Sequence, residues 1–163
     1  MSFLSLLSRF IKIADFGLAR AFSLPIKTLT HEIETLWYRA PEVLLGQKQY
    51  ALGVDSWSIG LIMGELFERE PIFIGDSEID QIFKIFRFFG TPTNLEWPGI
   101  TSLPDYKSTF PKFRAKNPEE KFRKMDYLEL DLLLMMLVLD PSKRISARDA
   151  LKHSFFDEVR NFN

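Results

Sequence analysis

The sequence predicts a mainly α-helical domain, and three observations lead to this prediction. Residues 55–68, 77–89 and 126–139 place apolar side chains at helical spacing. Turn and cap residues bound the second and third of these segments. Only one short run, residues 11–14, alternates as a strand does. The length of 163 residues, with 46% hydrophobic and 26% charged residues, suits one globular domain or a large part of one.

The chain begins with two segments that are not helical in pattern. Residues 1–10 are apolar without a clean period, and residues 11–14 predict a short strand. Residues 15–54 contain turn signals and two prolines but no sustained helical period. We expect a long ordered loop there, and such loops are usually functional.

The first predicted helix, residues 55–68, has apolar side chains all round its axis, which predicts burial on every side. Gly60 and Gly64 share one stripe, where another backbone could approach closely. The second helix begins at Ser77, whose spacing to Asp80 predicts a capping box. It ends at Gly90.

An irregular insertion follows at residues 90–118, which contain five prolines and several aromatic anchors. The third helix is predicted from Asp126, its N-cap, to Leu139. A short last helix begins at Ser146, which forms a second capping-box pattern with Asp149.

The composition excludes several classes of function. The chain has no cysteine, which rules out disulfides and thiolate chemistry, and only two histidines. Twenty-one basic against 22 acidic residues give a net charge of −1, which argues against a nucleic-acid binder that relies on overall positive charge but not against a local basic patch. The longest apolar runs are too short to span a membrane, and the start is a poor signal peptide. We therefore expect an intracellular protein that binds neither nucleic acid nor a membrane.

One motif has the composition of a magnesium site. Asp15-Phe16-Gly17 directly follows the predicted strand, and a carboxylate there, followed by a flexible glycine, suits a Mg²⁺ ligand beside a nucleotide phosphate. The tripeptide alone is a weak signal. Ala40-Pro41-Glu42 follows in the same loop, and the two motifs in this order are typical of a protein-kinase activation segment.

The chain resembles the cyclin-dependent protein kinases of the cell-cycle type. The runs that carry the resemblance are residues 14–22, 30–32, 35–42, 75–81, 90–92, 97–99, 103–107 and 140–145. The resemblance implies a partial protein-kinase domain over residues 11–160, with its activation segment at 15–42 and a family insertion at 90–118, after an unmatched apolar start at 1–10.

The fold that the resemblance implies is the carboxyl-terminal lobe of the protein-kinase fold, incomplete at its start. In protein kinases a Gly-rich loop, a strand lysine and the catalytic loop H-R-D precede D-F-G. Here Lys12, Asp15 and Gly17 are the first lysine, aspartate and glycine of the sequence. We therefore expect no amino-terminal β lobe and no catalytic loop within these 163 residues.

The resemblance also implies roles in the activation segment. Asp15 would bind Mg²⁺ on the ATP phosphates, and Thr35 would help to position the substrate hydroxyl. Thr30 would be phosphorylated by an activating kinase, and Arg20 would receive that phosphate through charge-assisted hydrogen bonds. Glu34 departs from the family, which usually has a small apolar residue there, so the preference for proline after the phosphorylated residue is in doubt.

Further roles follow for residues outside the activation segment. Glu42 would form a buried structural ion pair with Arg144, and Asp55 would accept backbone hydrogen bonds from the catalytic loop. The surface that resembles the Cks-binding surface of the family contains Ile79, Tyr106 and Lys107. The alternative for that surface is a solvated loop packed on a helix.

The function that the resemblance implies is ATP-dependent phosphorylation of protein Ser or Thr, switched on by a cyclin, in the cytoplasm or nucleus. Mg²⁺ and ATP are the implied cofactors, and we expect the chain alone to bind neither and to be inactive. The alternative is a non-catalytic docking module that binds Cks or substrates and competes with the full kinase. A third reading is an active minimal kinase to which another chain supplies the catalytic base and the ATP lobe.

Overall fold

The computed structural model describes Ile13, residues 36–49 and residues 51–160, and every regular element in those residues is helical. This confirms the predicted mainly α-helical class. The predicted strand at 11–14 lies outside the described residues except for Ile13, which is exposed and belongs to no regular element. None of the helices in the described residues could span a membrane.

Seven α-helices lie in the described part of the chain. They are α1 (Pro41–Leu44), α2 (Gly53–Glu68), α3 (Glu78–Phe89), α4 (Pro118–Lys121), α5 (Tyr127–Met136), α6 (Ala147–Ala150) and α7 (Asp157–Arg160). Short 3₁₀ turns occur at Leu36–Tyr38, Ile100–Ser102, Pro141–Lys143 and Ser154–Phe156. The prediction of a loop without helices over 15–54 is therefore wrong for its last part, because Pro41 fixes the first turn of α1.

Helix α2 lies at the centre of the described region but is not buried all round. Trp57 and Leu61 are almost completely inaccessible, whereas Ile59 and Leu66 are 54% and 53% exposed. The prediction of burial on every side is wrong for this face, since α5 and the Leu36–Tyr38 turn contact other faces of the helix.

The two glycines of α2 allow side chains, rather than another backbone, to approach closely. A Cβ atom at Gly60 would lie 2.9 Å from Leu137 Cδ2 and 3.0 Å from the Cβ of Met136. At Gly64 the nearest neighbours are the side chains of Ile72 and Phe122. The glycine stripe therefore receives side chains from the end of α5, from the segment after α2 and from the loop before α5, which corrects the predicted backbone approach.

Helix α3 begins with a half-formed capping box. The Ser77 hydroxyl accepts a hydrogen bond from the Asp80 N–H at 3.2 Å, but the Asp80 carboxylate accepts from the Asp76 N–H at 3.1 Å rather than from Ser77. The helix ends at Gly90, whose φ of +86° suits a residue without a side chain. Its inner face, which includes Ile85 and Phe86, is fully buried.

Helix α5 has the complete capping box that its sequence predicts. The Asp126 side chain accepts from the Glu129 N–H at 2.9 Å, and the Glu129 side chain accepts from the Asp126 N–H at 2.7 Å. The helix ends at Met136, three residues before the predicted Leu139. The Val138 and Leu139 carbonyls, which follow the helix, accept hydrogen bonds from the Arg144 side chain instead.

The insertion at 90–118 is largely irregular, as predicted, and it is fixed to α3. The Thr91 N–H donates to the Phe113 carbonyl at 3.1 Å, and the Phe113 N–H donates to the Thr91 hydroxyl at 3.0 Å. Phe110 and Phe113 place their rings 5.3 and 6.3 Å from that of Phe83. These aromatic contacts cover the outer side of α3.

Candidate functional site

The five residues to which the sequence assigns roles in the first part of the activation segment all lie outside the described residues. They are Asp15, Arg20, Thr30, Glu34 and Thr35. The described chain resumes at Leu36, directly after Thr35. The structure therefore shows what holds the end of the activation segment, while the magnesium, phosphorylation and substrate-positioning roles stay predictions.

Tyr38 connects this segment to α2. Its hydroxyl donates to Glu65 Oε2 at 2.5 Å, and the Ser58 hydroxyl donates to the Tyr38 carbonyl at 2.9 Å. Burial, reinforced by the hydrogen bond and negative charge of Glu65, raises the pKa of Tyr38 to about 12. The phenol is thus held as a neutral donor across the physiological pH range.

Gln81 connects the same segment to α3. Its side chain is fully buried, and its amide nitrogen donates to the carbonyls of Trp37 at 2.9 Å and Phe73 at 3.3 Å. Its amide oxygen accepts from the Gly75 N–H at 2.7 Å, and Trp37 Nε1 donates to the Gly75 carbonyl at 3.0 Å. Sequence reasoning gave Gln81 no role of its own. The feature of the sequence that could have pointed to Gln81 is that it is a polar residue beside the apolar inner face of α3.

Glu42 and Arg144 form the buried ion pair that the resemblance implies. Arg144 Nη1 lies 2.7 Å from Glu42 Oε1, and Nη2 lies 2.5 Å from Oε2, so the contact is bidentate. The two side chains are 1% and 0% exposed. The segment after the activation loop is therefore tied to the end of the domain.

All five N–H donors of Arg144 have acceptors. Besides the carboxylate, its guanidinium donates to the carbonyls of Gly53, Val138 and Leu139 at 2.7–3.2 Å. The guanidinium carbon also lies 5.1 Å from the centre of the Trp57 ring. Arg144 thus joins the start of α2, the end of α5 and α1 through a single side chain.

Asp55 lies in the first turn of α2, and no described residue donates a hydrogen bond to it. Partial desolvation raises the pKa of its carboxyl above the ordinary value of 3.8. The catalytic-loop donors that the resemblance implies for Asp55 are not among the described residues.

The structure brings the predicted Cks-type residues to one side of α3. Ile79 is 47% exposed in the first turn of the helix, one turn before Phe83. Tyr106 packs on Phe110 with ring centres 5.5 Å apart, and Phe110 packs on Phe83. The adjoining Lys107 is exposed. Ile79 and Tyr106 therefore flank the same aromatic cluster.

In the described part of the chain, no group of three or more His, Asp or Glu residues could hold a metal ion. His153 instead contacts the Asp131 carboxylate at 3.0 Å and accepts from the Phe155 N–H. Its role in the described structure is to hold the turn before α7 against α5.

A helical domain in which a buried Glu–Arg pair ties the A-P-E motif to the last helices is typical of the carboxyl-terminal lobe of a protein kinase. The family model described as the protein kinase domain matches residues 3–156. The chain therefore belongs to the protein kinase family. The match begins eight residues before the range 11–160 that the motifs indicate, so it includes most of the apolar start.

Proposed function

We propose that the chain is a segment of a cyclin-dependent Ser/Thr protein kinase of the cell-cycle type, acting in the cytoplasm or nucleus. The family transfers a phosphoryl group from Mg·ATP to protein substrates. The cyclin-dependent type is supported by the run of motifs that includes residues 35–42, 75–81 and 103–107. A cyclin and a Cks subunit are the partners that this type implies.

The observation that carries the proposal is the rigid attachment of residues 36–42. Glu65, Gln81 and Arg144 hold this segment from three directions through hydrogen bonds of 2.5–2.9 Å. Phosphoryl transfer depends mainly on positioning and electrostatic stabilisation. A fixed segment directly after Thr35 would present that residue to a substrate hydroxyl in one geometry.

The activation segment would work through three further residues. Asp15 would hold Mg²⁺ at the ATP phosphates. Phosphorylated Thr30 would be received by Arg20, because a phosphate with nearly two negative charges forms strong bonds with a guanidinium. These 163 residues include no H-R-D motif upstream of Asp15. By themselves, therefore, they would transfer no phosphoryl group.

A chimeric enzyme tests the proposal. Residues 11–160 would replace the equivalent segment of a cyclin-dependent kinase, and phosphorylation of a Ser-Pro peptide would be measured with and without the cyclin. We expect cyclin-dependent turnover that Asp15→Asn abolishes and Thr30→Ala lowers. Turnover that is indifferent to the cyclin would contradict the cyclin-dependent type, and an inactive chimera with a folded insert would contradict the kinase role.

Glu34 gives the same chimera a second readout. A carboxylate in place of a small apolar residue would weaken the selection of proline after the phosphorylated residue. We expect the ratio of kcat/KM for Ser-Pro over Ser-Ala peptides to rise in Glu34→Val. An unchanged ratio would remove Glu34 from substrate selection.

A non-catalytic docking module is the second candidate, favoured by the exposure of Ile79 and Lys107 around a rigid aromatic cluster. Such a module would bind Cks through residues that are all present in this chain. Calorimetry with a Cks protein should show weaker binding for Ile79→Ala, and Leu95→Ala, an exposed leucine on the insertion, serves as the matched control. Absence of binding by a folded sample would exclude this candidate.

A further inference from the structure

A short part of the insertion has a charge unlike that of the rest of the chain. Residues 106–118 contain four basic residues and no acidic residue, although the whole chain has a net charge of −1. Three of the basic residues, Lys112, Arg114 and Lys116, alternate with other residues and are all exposed. We call these three residues the basic strip.

The backbone of the basic strip is fixed in place. Thr91 exchanges hydrogen bonds with Phe113, and its hydroxyl also donates to the Pro111 carbonyl at 2.7 Å. The Lys116 N–H donates to the Phe88 carbonyl at 2.8 Å. The strip therefore lies along the end of α3 as an anchored segment rather than as a free loop.

The alternation places the three cations on the outer side. Phe113 packs against Phe83, and the Cβ of Ala115 lies 3.5 Å from where a Cβ at Gly90 would be. Lys112, Arg114 and Lys116 are exposed, whereas Phe113 between them is half-buried. The three basic side chains therefore form a row at the surface of the insertion.

The charges of the row are not neutralised within the described part of the chain, where no side chain of the basic strip has an ion pair or hydrogen bond. Basic residues next to the strip differ in this respect, because Lys121 pairs with Glu70 and Lys124 with Glu68. Arg87 adds a fourth exposed cation, with its guanidinium 5.3 Å from the centre of the Phe113 ring.

We propose that the basic strip is a docking surface for an extended acidic segment of a protein partner. A peptide with carboxylates at alternate positions has the same alternation as the row and would offer one carboxylate to each cation. The N–H groups of Lys112 and Arg114 have no backbone acceptor among the described residues and could bind the peptide main chain.

A protein segment fits the strip better than a nucleic acid does. The row is only five residues long, and Glu119 and Glu120 lie three and four residues after its end. These carboxylates would repel the continuous phosphate backbone of a polynucleotide, and the net charge of −1 supplies no wider attraction. A short acidic peptide can end before it reaches them.

Fluorescence anisotropy of the full 163-residue chain tests the proposal. The probe is a labelled twelve-residue peptide with Glu at every second position, and the control peptide has Gln in place of Glu. The triple variant K112E/R114E/K116E should weaken binding of the Glu peptide at least about tenfold. Binding to the unchanged chain should also fall several-fold between about 50 and about 300 mM salt.

A matched variant, K48E/R148E/K152E, makes the same change in net charge at exposed residues on other surfaces. It should keep binding within about threefold of the unchanged chain. In an isotope-labelled sample, the Glu peptide should shift the amide resonances of residues 111–116. Near-ultraviolet circular dichroism checks that all variants share one fold.

Three results would overturn the proposal. The first is equal binding of the Glu and Gln peptides, and the second is an equal loss in the two triple variants. The third is tighter binding of a twelve-nucleotide single strand than of the Glu peptide, which would make the strip a nucleic-acid contact.

Discussion

Replacement of Arg144 by methionine removes the most highly connected side chain of the described structure. Methionine keeps much of the length of the side chain but provides none of its five N–H donors. The Glu42 carboxyl group, 1% exposed, would stay buried without its partner. The carbonyls of Gly53, Val138 and Leu139 would lose a donor at the same time.

The expected loss of stability is large for a single substitution. Breaking a buried ion pair from one side costs about 3–5 kcal/mol, because an uncompensated charge stays in a medium of low polarity. A whole domain is stable by about 5–15 kcal/mol. Arg144→Met should therefore remove at least about a fifth of the free energy of unfolding.

Urea denaturation followed by tryptophan fluorescence measures the loss. Arg148→Met is the matched control, since this arginine is exposed on α6, and it should change stability by less than about 0.5 kcal/mol. The double variant Glu42→Leu/Arg144→Met should lose less than the sum of the two single losses, because it leaves no charge unpaired. A loss under about 1 kcal/mol for Arg144→Met, or strict additivity in the double variant, would refute this reasoning.

Three further predictions follow from individual sites. The pKa of the Asp55 carboxyl is raised in the folded chain, so its ionisation opposes folding as pH rises above about 3.8. Asp55→Asn should therefore raise Tm at about pH 7 and leave Tm unchanged near pH 3. A lower Tm at pH 7 would contradict this prediction. In a spectrophotometric titration, one of the four tyrosines should ionise near pH 12, and Tyr38→Phe should remove this late phase. If the late phase persists in Tyr38→Phe, it belongs to another tyrosine and the prediction is wrong. Gly60→Ala should lower the free energy of unfolding by about 1–3 kcal/mol, because the added methyl group would meet Leu137. Urea denaturation measures this change, and an unchanged free energy would mean that α5 moves freely away.

Local sequence patterns were sufficient to predict the helical class and the starts of α3 and α5. Ser77 and Asp126 cap their helices through bonds that span three residues, and such local bonds can be recognised in any sequence. The order of the D-F-G and A-P-E motifs indicated the protein kinase family, which the match over residues 3–156 then showed. Glu42 and Arg144 were paired through the family resemblance, because no local pattern relates residues that are 102 positions apart.

Features that depend on distant neighbours could be recognised only in the folded chain. Gln81 carries no local signal for its three backbone partners, since Trp37, Phe73 and Gly75 meet it only after the chain has folded. The residues after α5 depend on a distant side chain in the same way, since the Val138 and Leu139 carbonyls accept from Arg144. Periodicity gives the direction of each side chain around a helix axis. A side chain is buried only if another element packs on that side, and this depends on the arrangement of the whole fold.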